Sequence, residues 1–264
     1  MKLGFIGCGN MACAMMGGII KNQVLSAEEI IASNLGRAPL ERAQRELGIK
    51  TAQDNREVVR QAEIVVLAVK PQVYETVIRE VAETVRPEQV IVTIAPGKTL
   101  NWLTETFGKP VKLVRTMPNT PALVGEGITA VCANESVTAK ELEEVCRLLR
   151  GFGRTEVIPE HLMDVVVSVS GSSPAYVFLF IEAMADAAVA DGMPRKQAYE
   201  FAAQAVLGSA KMVLESGKHP GELKDMVCSP GGTTIEAVRV LEAKGFRSSV
   251  IEAMKACTHK AKSM

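Results

Sequence analysis

The stretch Leu3-Gly-Phe-Ile-Gly-Cys-Gly-Asn-Met-Ala-Cys-Ala-Met15 decides how the rest of the chain is read. Leu3 to Ile6 is an uncharged apolar run, long enough for a buried strand. Gly7, Gly9 and Ala12 follow at G-x-G-x-x-A spacing, and Met11 to Ile20 continues as a helix of small residues. Gly7 permits a tight turn out of the strand, Gly9 lets the backbone approach a pyrophosphate, and Ala12 keeps the helix close to the sheet. Phosphates would sit on the unpaired N–H groups at the helix start, where the helix dipole favours negative charge. A ligand-free glycine turn fits the same letters. The position directly after an apolar strand and before a helix favours the dinucleotide reading.

Outward from this start, strand and helix alternate. Glu29 to Ser33 reads as a strand, and Arg37 to Leu47 as a helix closed by Gly48. Asp54 with Glu57 starts a helix over 55–62. Ile64 to Val69 is continuously apolar, as a parallel strand covered on both faces should be. Pro71 stands where a helix begins, because its missing N–H costs nothing there. Val90 to Ala95, Lys112 to Thr116 and Thr129 to Ala133 add strands, while Met117-Pro-Asn-Thr-Pro121 cannot be helical across two prolines. Thr138 and Glu141 form a capping box for a helix reaching Leu149. This rhythm predicts an α/β fold over residues 1–160, a Rossmann-like doubly wound parallel sheet that binds its ligand at the carboxyl ends of the strands.

Composition narrows the partners. The 264 residues carry 30 basic and 30 acidic side chains, and 47% of them are hydrophobic. A balanced charge and a sizeable core point away from nucleic acid and membrane surfaces and towards a small molecule or a second copy of the chain. The six cysteines are scattered without a C-x-x-C pair or a histidine at ligand spacing, so they read as thiols of a reducing cytoplasm, with no metal site. The early glycines and Asn10 interrupt any signal-like apolar run, and no later segment reads as membrane-spanning.

From His161 onward strand patterns vanish, and residues 161–264 read as an all-α domain. Pro174 to Ala190 is apolar nearly all round, broken mainly by Glu182 and Asp186, and such a helix must be buried. Further helices over 195–215, 222–227, 233–244 and 247–260 are too few to cover it. A homodimer through these helices is the economical solution, with a self-contained bundle packed on the sheet as the alternative. Ser170-Gly-Ser-Ser-Pro174 and Ser229-Pro-Gly-Gly-Thr-Thr234 each place hydroxyls and backbone N–H groups at a helix start. They read as N-caps or as a pair of anion cradles.

The strand ends name the cofactor. The acidic residue that bonds the adenine ribose in NAD enzymes is expected about twenty residues past the glycine loop. Ser33-Asn34 stands there instead, with Arg37 close behind. Two neutral donors and a cation suit a 2′-phosphate and favour NADPH, with NADH as the alternative, unless Arg37 is only a solvated cation. Ala68-Val69-Lys70-Pro71 and Ala95-Pro96 end the next strands and would border the nicotinamide.

The run Leu223-Lys-Asp-Met-Val-Cys-Ser-Pro-Gly-Gly-Thr-Thr-Ile-Glu-Ala-Val-Arg-Val-Leu-Glu242 strongly resembles the signature of the pyrroline-5-carboxylate reductase family. Gly4 to Ala12, Ala68 to Pro71, Met117 to Pro121, Ser170 to Tyr176 and His219-Pro220 are similar to that family in the same order, so the resemblance spans the chain. It implies NAD(P)H-dependent reduction of a cyclic imine, 1-pyrroline-5-carboxylate, to L-proline. It also implies a dimer with interlocked C-terminal domains, sometimes built into decamers. By the same resemblance Ile6, Gly7, Cys8, Gly9, Asn10 and Met11 form the pyrophosphate loop. Ser33 and Asn55 lie near the adenosine, and Ala68 to Pro71 with Ala95 and Pro96 line the nicotinamide side. Asn119, Glu160, Ser229, Gly231, Gly232, Thr233 and Thr234 belong to the substrate site, and Thr234 is the hydroxyl that bonds the ring nitrogen. Ser173 replaces the family's usual glycine, and Met226 stands where some members carry a cofactor-contacting asparagine.

The chemistry asks for little acid or base. His161, His219 and His259 sit in no carboxylate constellation, and a protonated imine accepts hydride without a strong acid from the protein. Alignment and water exclusion remain, in a cleft where the front half offers the nucleotide and the helical half grips a small acidic ring. Three other readings are compatible with these residues. One is a β-hydroxyacid dehydrogenase using Lys211, one a reductase of a six-membered imine, and one a dinucleotide-binding regulator without turnover. If Arg37 recognises the 2′-phosphate, Arg37→Ala should raise KM for NADPH by about tenfold or more, as expected for a lost charge-assisted bond, and leave KM for NADH nearly unchanged in initial-rate assays.

Overall fold

A computed structural model describes residues 1–263, and the chain divides into two compact units. The first is Met1–Ser172 together with the segment from Cys257 onward; the second is Ser173–Ala256. The division therefore does not follow the 160/161 boundary expected from the sequence. Met163, Val166 and Val167 pack with Met117, Ala130 and Cys132, which holds this stretch in the first unit. Thr258 Oγ1 donates to Ser168 Oγ at 2.8 Å, so the last segment belongs there too.

In chain order the first unit contains β1 (Leu3–Ile6), α1 (Asn10–Lys21), β2 (Ile30–Ser33), α2 (Arg37–Leu47), β3 (Lys50–Ala52), α3 (Asn55–Gln61), β4 (Ile64–Leu67) and α4 (Tyr74–Val81). Then come β5 (Val90–Thr93), α5 (Leu100–Phe107), β6 (Lys112–Met117), β7 (Gly127–Ala133), α6 (Ala139–Leu149), β8 (Gly153–Val157) and α7 (Met163–Val166). The strands form one sheet of eight in the order β3-β2-β1-β4-β5-β6-β7-β8. Every residue of β1, β2, β4 and β5 is buried, because helices cover both faces. Met15, Met16, Ile19, Leu40 and Leu149 fill one layer, and Val58, Tyr74, Ile78 and Leu103 the other.

Local chemistry sets the helix ends. Gly48 closes α2 in the left-handed conformation, at φ 72°. Asp54 accepts from the Arg56 amide at the start of α3. Thr138 and Glu141 make the reciprocal capping box of α6. Pro71 opens a short 3₁₀ turn, Pro71–Val73, ahead of α4.

Within the sheet the structure departs from the sequence reading in three places. β3 and β8 are edge strands that the sequence does not announce; β3 has three residues and β8 is mostly polar and exposed. The sheet is not wholly parallel, since β7 runs antiparallel to β6. Only the compact segment 118–126 joins them, too short for the crossover that parallel strands need. Strands β4 and β5 stop at Leu67 and Thr93, two residues earlier than expected, and the following residues leave the sheet as loops.

The second unit is helical, with α8 (Ser173–Ala190), α9 (Arg195–Ser216), α10 (Pro220–Val227), α11 (Thr233–Ala243) and the greater part of α12 (Phe246–Lys262). The expected burial of the apolar helix does not occur within one chain. Only Ala185 of α8 is fully buried, while Phe178 and Leu179 are 63% and 67% exposed. The 31-residue helical run Glu160–Ala190 is, by length and composition, apolar enough to cross a membrane, contrary to the sequence reading that no such segment exists. A soluble helix covered by a partner chain has the same composition.

Close packing across the first unit can be tested at Gly18. A Cβ there would lie 2.5 Å from Phe152 Cβ and 2.8 Å from the Gly151 carbonyl oxygen. Gly18→Ala should therefore destabilise the fold by about 1–3 kcal/mol through overpacking, read as a lower urea midpoint with an unchanged m value.

Candidate functional site

The sheet reverses its strand order between β1 and β4, and open α/β sheets take ligands at such a switch point. Gly7 leaves β1 there at φ 102°, and a Cβ on it would lie 2.7 Å from the Ala68 carbonyl carbon and oxygen. Only glycine allows the two loops this close. Beyond it, Gly9 is the N-cap of α1 with no side-chain cap, and a Cβ on Gly9 would meet nothing within 4 Å. The first turn of α1 thus presents backbone N–H groups without a capping side chain, beside open space. That is the arrangement a pyrophosphate needs. The Cys8 amide is already used, donating to Asn34 Oδ1 at 3.1 Å. Burial pushes the Cys8 thiol up to about 12, so it remains protonated.

The adenosine-side residues are brought together. Ser33 is fully buried and its hydroxyl donates to Asn55 Oδ1 at 2.8 Å, while Asn55 Nδ2 donates to Glu80 Oε2. Asn34 spends its carbonyl on Cys8 and its amide on the Gly36 carbonyl oxygen. Arg37, the first residue of α2, is exposed.

On the other side of the switch point, Ala68 to Pro71 and Ala95-Pro96 follow the ends of β4 and β5. Lys70 is exposed and Ala95 is buried. Both loops rest on side chains that the sequence reading passes over. Tyr74 and Thr93 are completely buried between the strand ends, and Arg115 of β6 has only 3% of its side chain exposed. Arg115 Nη1 donates to Glu160 Oε1 at 2.9 Å. The same oxygen accepts from the Leu100 amide, the first of α5, at 2.7 Å. Asp164 Oδ1 stands 3.7 Å from Arg115 Nη2. An arginine in the middle of the strand Lys112–Met117, flanked by Leu113, Val114 and Met117, was the available signal, because a buried guanidinium requires carboxylates.

Two residues expected at the substrate site also hold parts of the chain together, Glu160 through its Oε1 alone. Glu160 ties β6 to the start of α5. Asn119, 7% exposed, donates to the Ser170 carbonyl oxygen and accepts from the Ile128 amide, so it clamps two chain segments. The expected cradle at Ser170–Pro174 is also not an open helix start. Val167–Gly171 is a π-helical turn, the Ser172 amide donates to the Val167 carbonyl oxygen, and Ser170 Oγ donates to that of Val166.

The second cradle, in the other unit, is open. Gly231 turns at φ 67° and Gly232 caps α11 with no side-chain hydrogen bond. A Cβ on Gly232 would lie 2.6 Å from Ser229 Oγ, so glycine is what lets Ser229 fold over the helix start. The first turn of α11 keeps its backbone N–H groups uncapped, with the Thr233 and Thr234 hydroxyls beside them. His219 Nδ1 accepts from the Gly221 amide as the cap of α10. Met226 is exposed, with Lys218 Nζ 3.7 Å from its sulfur. Lys211 forms an exposed pair with Glu215, which does not resemble a buried catalytic lysine.

Comparison with known proteins places this geometry. Residues 160–264 match the family described as pyrroline-5-carboxylate reductase dimerisation, and residues 2–97 match NADP oxidoreductase coenzyme F420-dependent. The chain is 52% identical over 263 residues to pyrroline-5-carboxylate reductase of Escherichia coli K12, covering 100% of this chain and 98% of the relative. A crystal structure of Plasmodium falciparum pyrroline carboxylate reductase with NADP bound superposes with a TM-score of 0.90 at 32% identity, covering 100% of this chain and 97% of that one. A pyrroline-5-carboxylate reductase structure from Coxiella burnetii superposes at 0.93 with 34% identity, covering 99% and 97%.

The Arg115–Glu160 tie has a measurable cost. Glu160→Gln leaves the buried Arg115 guanidinium with only Asp164, 3.7 Å away, as a carboxylate partner and should lower stability by about 3 kcal/mol. Arg115→Met removes the buried charge itself, leaves the partly exposed Glu160 with the Leu100 amide, and should cost about 1 kcal/mol. Urea midpoints of the two variants check the ranking.

Proposed function

The chain belongs to the pyrroline-5-carboxylate reductase family, and from that premise we infer which of its residues carry the reaction. It is an NADP-dependent oxidoreductase that reduces 1-pyrroline-5-carboxylate at the C=N bond. The full-length 52% identity to a reductase of that name carries this conclusion. The residues present fit the cofactor, because the helix start after Gly9 has no capping side chain and the space beside Gly9 is open. The Gly7–Met11 loop holds the pyrophosphate on the uncapped N–H groups at the start of α1, with Ser33, Asn34, Arg37 and Asn55 at the adenosine end. Ala68 to Pro71 and Ala95-Pro96 flank the nicotinamide, which supplies the hydride when bound.

The substrate is a ring with one carboxylate and one imine nitrogen. The uncapped first turn of α11 suits the carboxylate, since N–H groups and helix dipole both favour an anion. Ser229 and Thr233 add hydroxyl donors to that grip. Thr234 bonds the ring nitrogen and fixes which face of the imine is presented. With the imine already protonated, the protein needs only to orient it and exclude water.

The match to a dimerisation family supports a homo-oligomer. Its finer form is a homodimer through the C-terminal helices, supported by the apolar exposure of α8, with a decamer as the larger assembly to look for. Light scattering that returns a monomer at micromolar concentration would overturn the dimer. Six free thiols support a cytoplasmic location, and recovery in an exported fraction would overturn it.

Loss of NADPH absorbance on adding pyrroline-5-carboxylate tests the activity directly. Thr234→Ala should lower kcat/KM for that substrate by about ten- to a hundredfold, the cost of one hydrogen bond of about 1–3 kcal/mol. An unchanged kcat/KM would remove Thr234 from the assigned role.

A further inference from the structure

Tyr74, the first residue of α4, lies on no strand and in no loop assigned to the cofactor, yet its phenol stands where the β4–β5 ladder stops. The hydroxyl donates to the carbonyl oxygen of Leu67, the last residue of β4. It accepts from Thr93 Oγ1 at 3.0 Å and from the Ile94 amide at 3.4 Å, where β5 ends. Thr93 Oγ1 in turn accepts from the Ala95 amide at 3.4 Å. One hydrogen-bond chain thus runs from the Ala95 amide through Thr93 and Tyr74 to the Leu67 carbonyl, whose next residue is Ala68. Thr116 Oγ1 extends the support by donating to the Thr93 carbonyl oxygen at 2.8 Å.

We propose that Tyr74 is a positioning residue for hydride transfer, setting the separation of the Ala68–Pro71 and Ala95–Pro96 loops through its single phenolic oxygen. The proposal rests on the reading that these two loops flank the nicotinamide. Beyond Leu67 and Thr93 no ladder bonds hold the parting strands in register, and each loop contains a proline that removes a donor. The phenol supplies the missing link. It is fully buried, and burial raises its pKa to about 12, so it keeps its proton and its direction of donation across the working pH range. A hydroxyl buried in this way holds geometry that water cannot restore when it is removed.

Tyr74→Phe removes the oxygen and nothing else, and Thr93→Val removes the next link at constant shape. In the nucleotide-free protein, amide hydrogen exchange at Ile94 and Ala95 should quicken by about tenfold in either variant, with β1 unchanged. In the complete reaction kcat should fall about tenfold, as for a small misalignment of reacting atoms. KM for NADPH should move by less than about threefold, and the primary isotope effect with 4-deuterated NADPH should rise. The double variant should lose little more than either single one, because the two hydroxyls share one chain. Quickened exchange with wild-type kcat and isotope effect would reduce Tyr74 to a structural residue and overturn the proposal. Unchanged exchange would overturn it as well. An NADPH affinity loss that accounts for the whole defect would place the network behind binding and reject hydride positioning. Failure of the wild-type protein to turn over pyrroline-5-carboxylate would instead defeat the underlying reading, a result the exchange arm distinguishes. If Tyr74→Phe does not fold, Thr93→Val alone decides.

Discussion

The backbone contact between Gly7 and Ala68 is the constraint on which the first unit's site depends. Any Cβ at Gly7 would lie within 2.7 Å of the Ala68 carbonyl, so the loops leaving β1 and β4 can lie against each other only with glycine there. That contact stands at the point where the strand order reverses, and it leaves the start of α1 bare beside open space. The rest of the sheet supports it. Every residue of β1, β2, β4 and β5 is buried between two helical layers, so the strand ends are held by packing and the loops inherit their positions.

Behind the loops, polar side chains continue what the sheet's ladder no longer provides. Tyr74, Thr93 and Thr116 link the ends of β4, β5 and β6 through buried hydroxyls. Arg115 and Glu160 do the same for the start of α5 with an ion pair. An imine that needs no strong acid puts its demand on geometry, and alignment is worth several kcal/mol of barrier when reacting atoms are held in place. Buried polar groups in this unit are therefore better read as a frame for alignment than as acids and bases in waiting.

The second unit shows a different economy. Its helices carry more apolar surface than one chain covers, with Phe178 and Leu179 largely exposed. A match to a dimerisation family over residues 160–264 agrees with that excess, since exposed apolar faces of this size are normally covered by a partner. Within the unit, the uncapped start of α11 has the same design as the start of α1. Each has a glycine N-cap and no side-chain acceptor, which leaves the helix amides for an anion.

Much of this was legible in the residues themselves. The apolar run before Gly7, the glycine spacing and the capping box at Thr138 and Glu141 depend on short-range steric and hydrogen-bond rules, which a sequence carries locally, while the 223–242 signature was legible by its resemblance to a family. The antiparallel turn into β7, the π-helical turn Val167–Gly171 ahead of α8, and the bonds of Asn119 and Glu160 to other parts of the chain were decided only by tertiary structure. So was the role of Tyr74, whose partners lie 7 and 19 residues away. The physical reason is common to all of them: a polar side chain's partner is set by what burial brings next to it, and no local pattern records that.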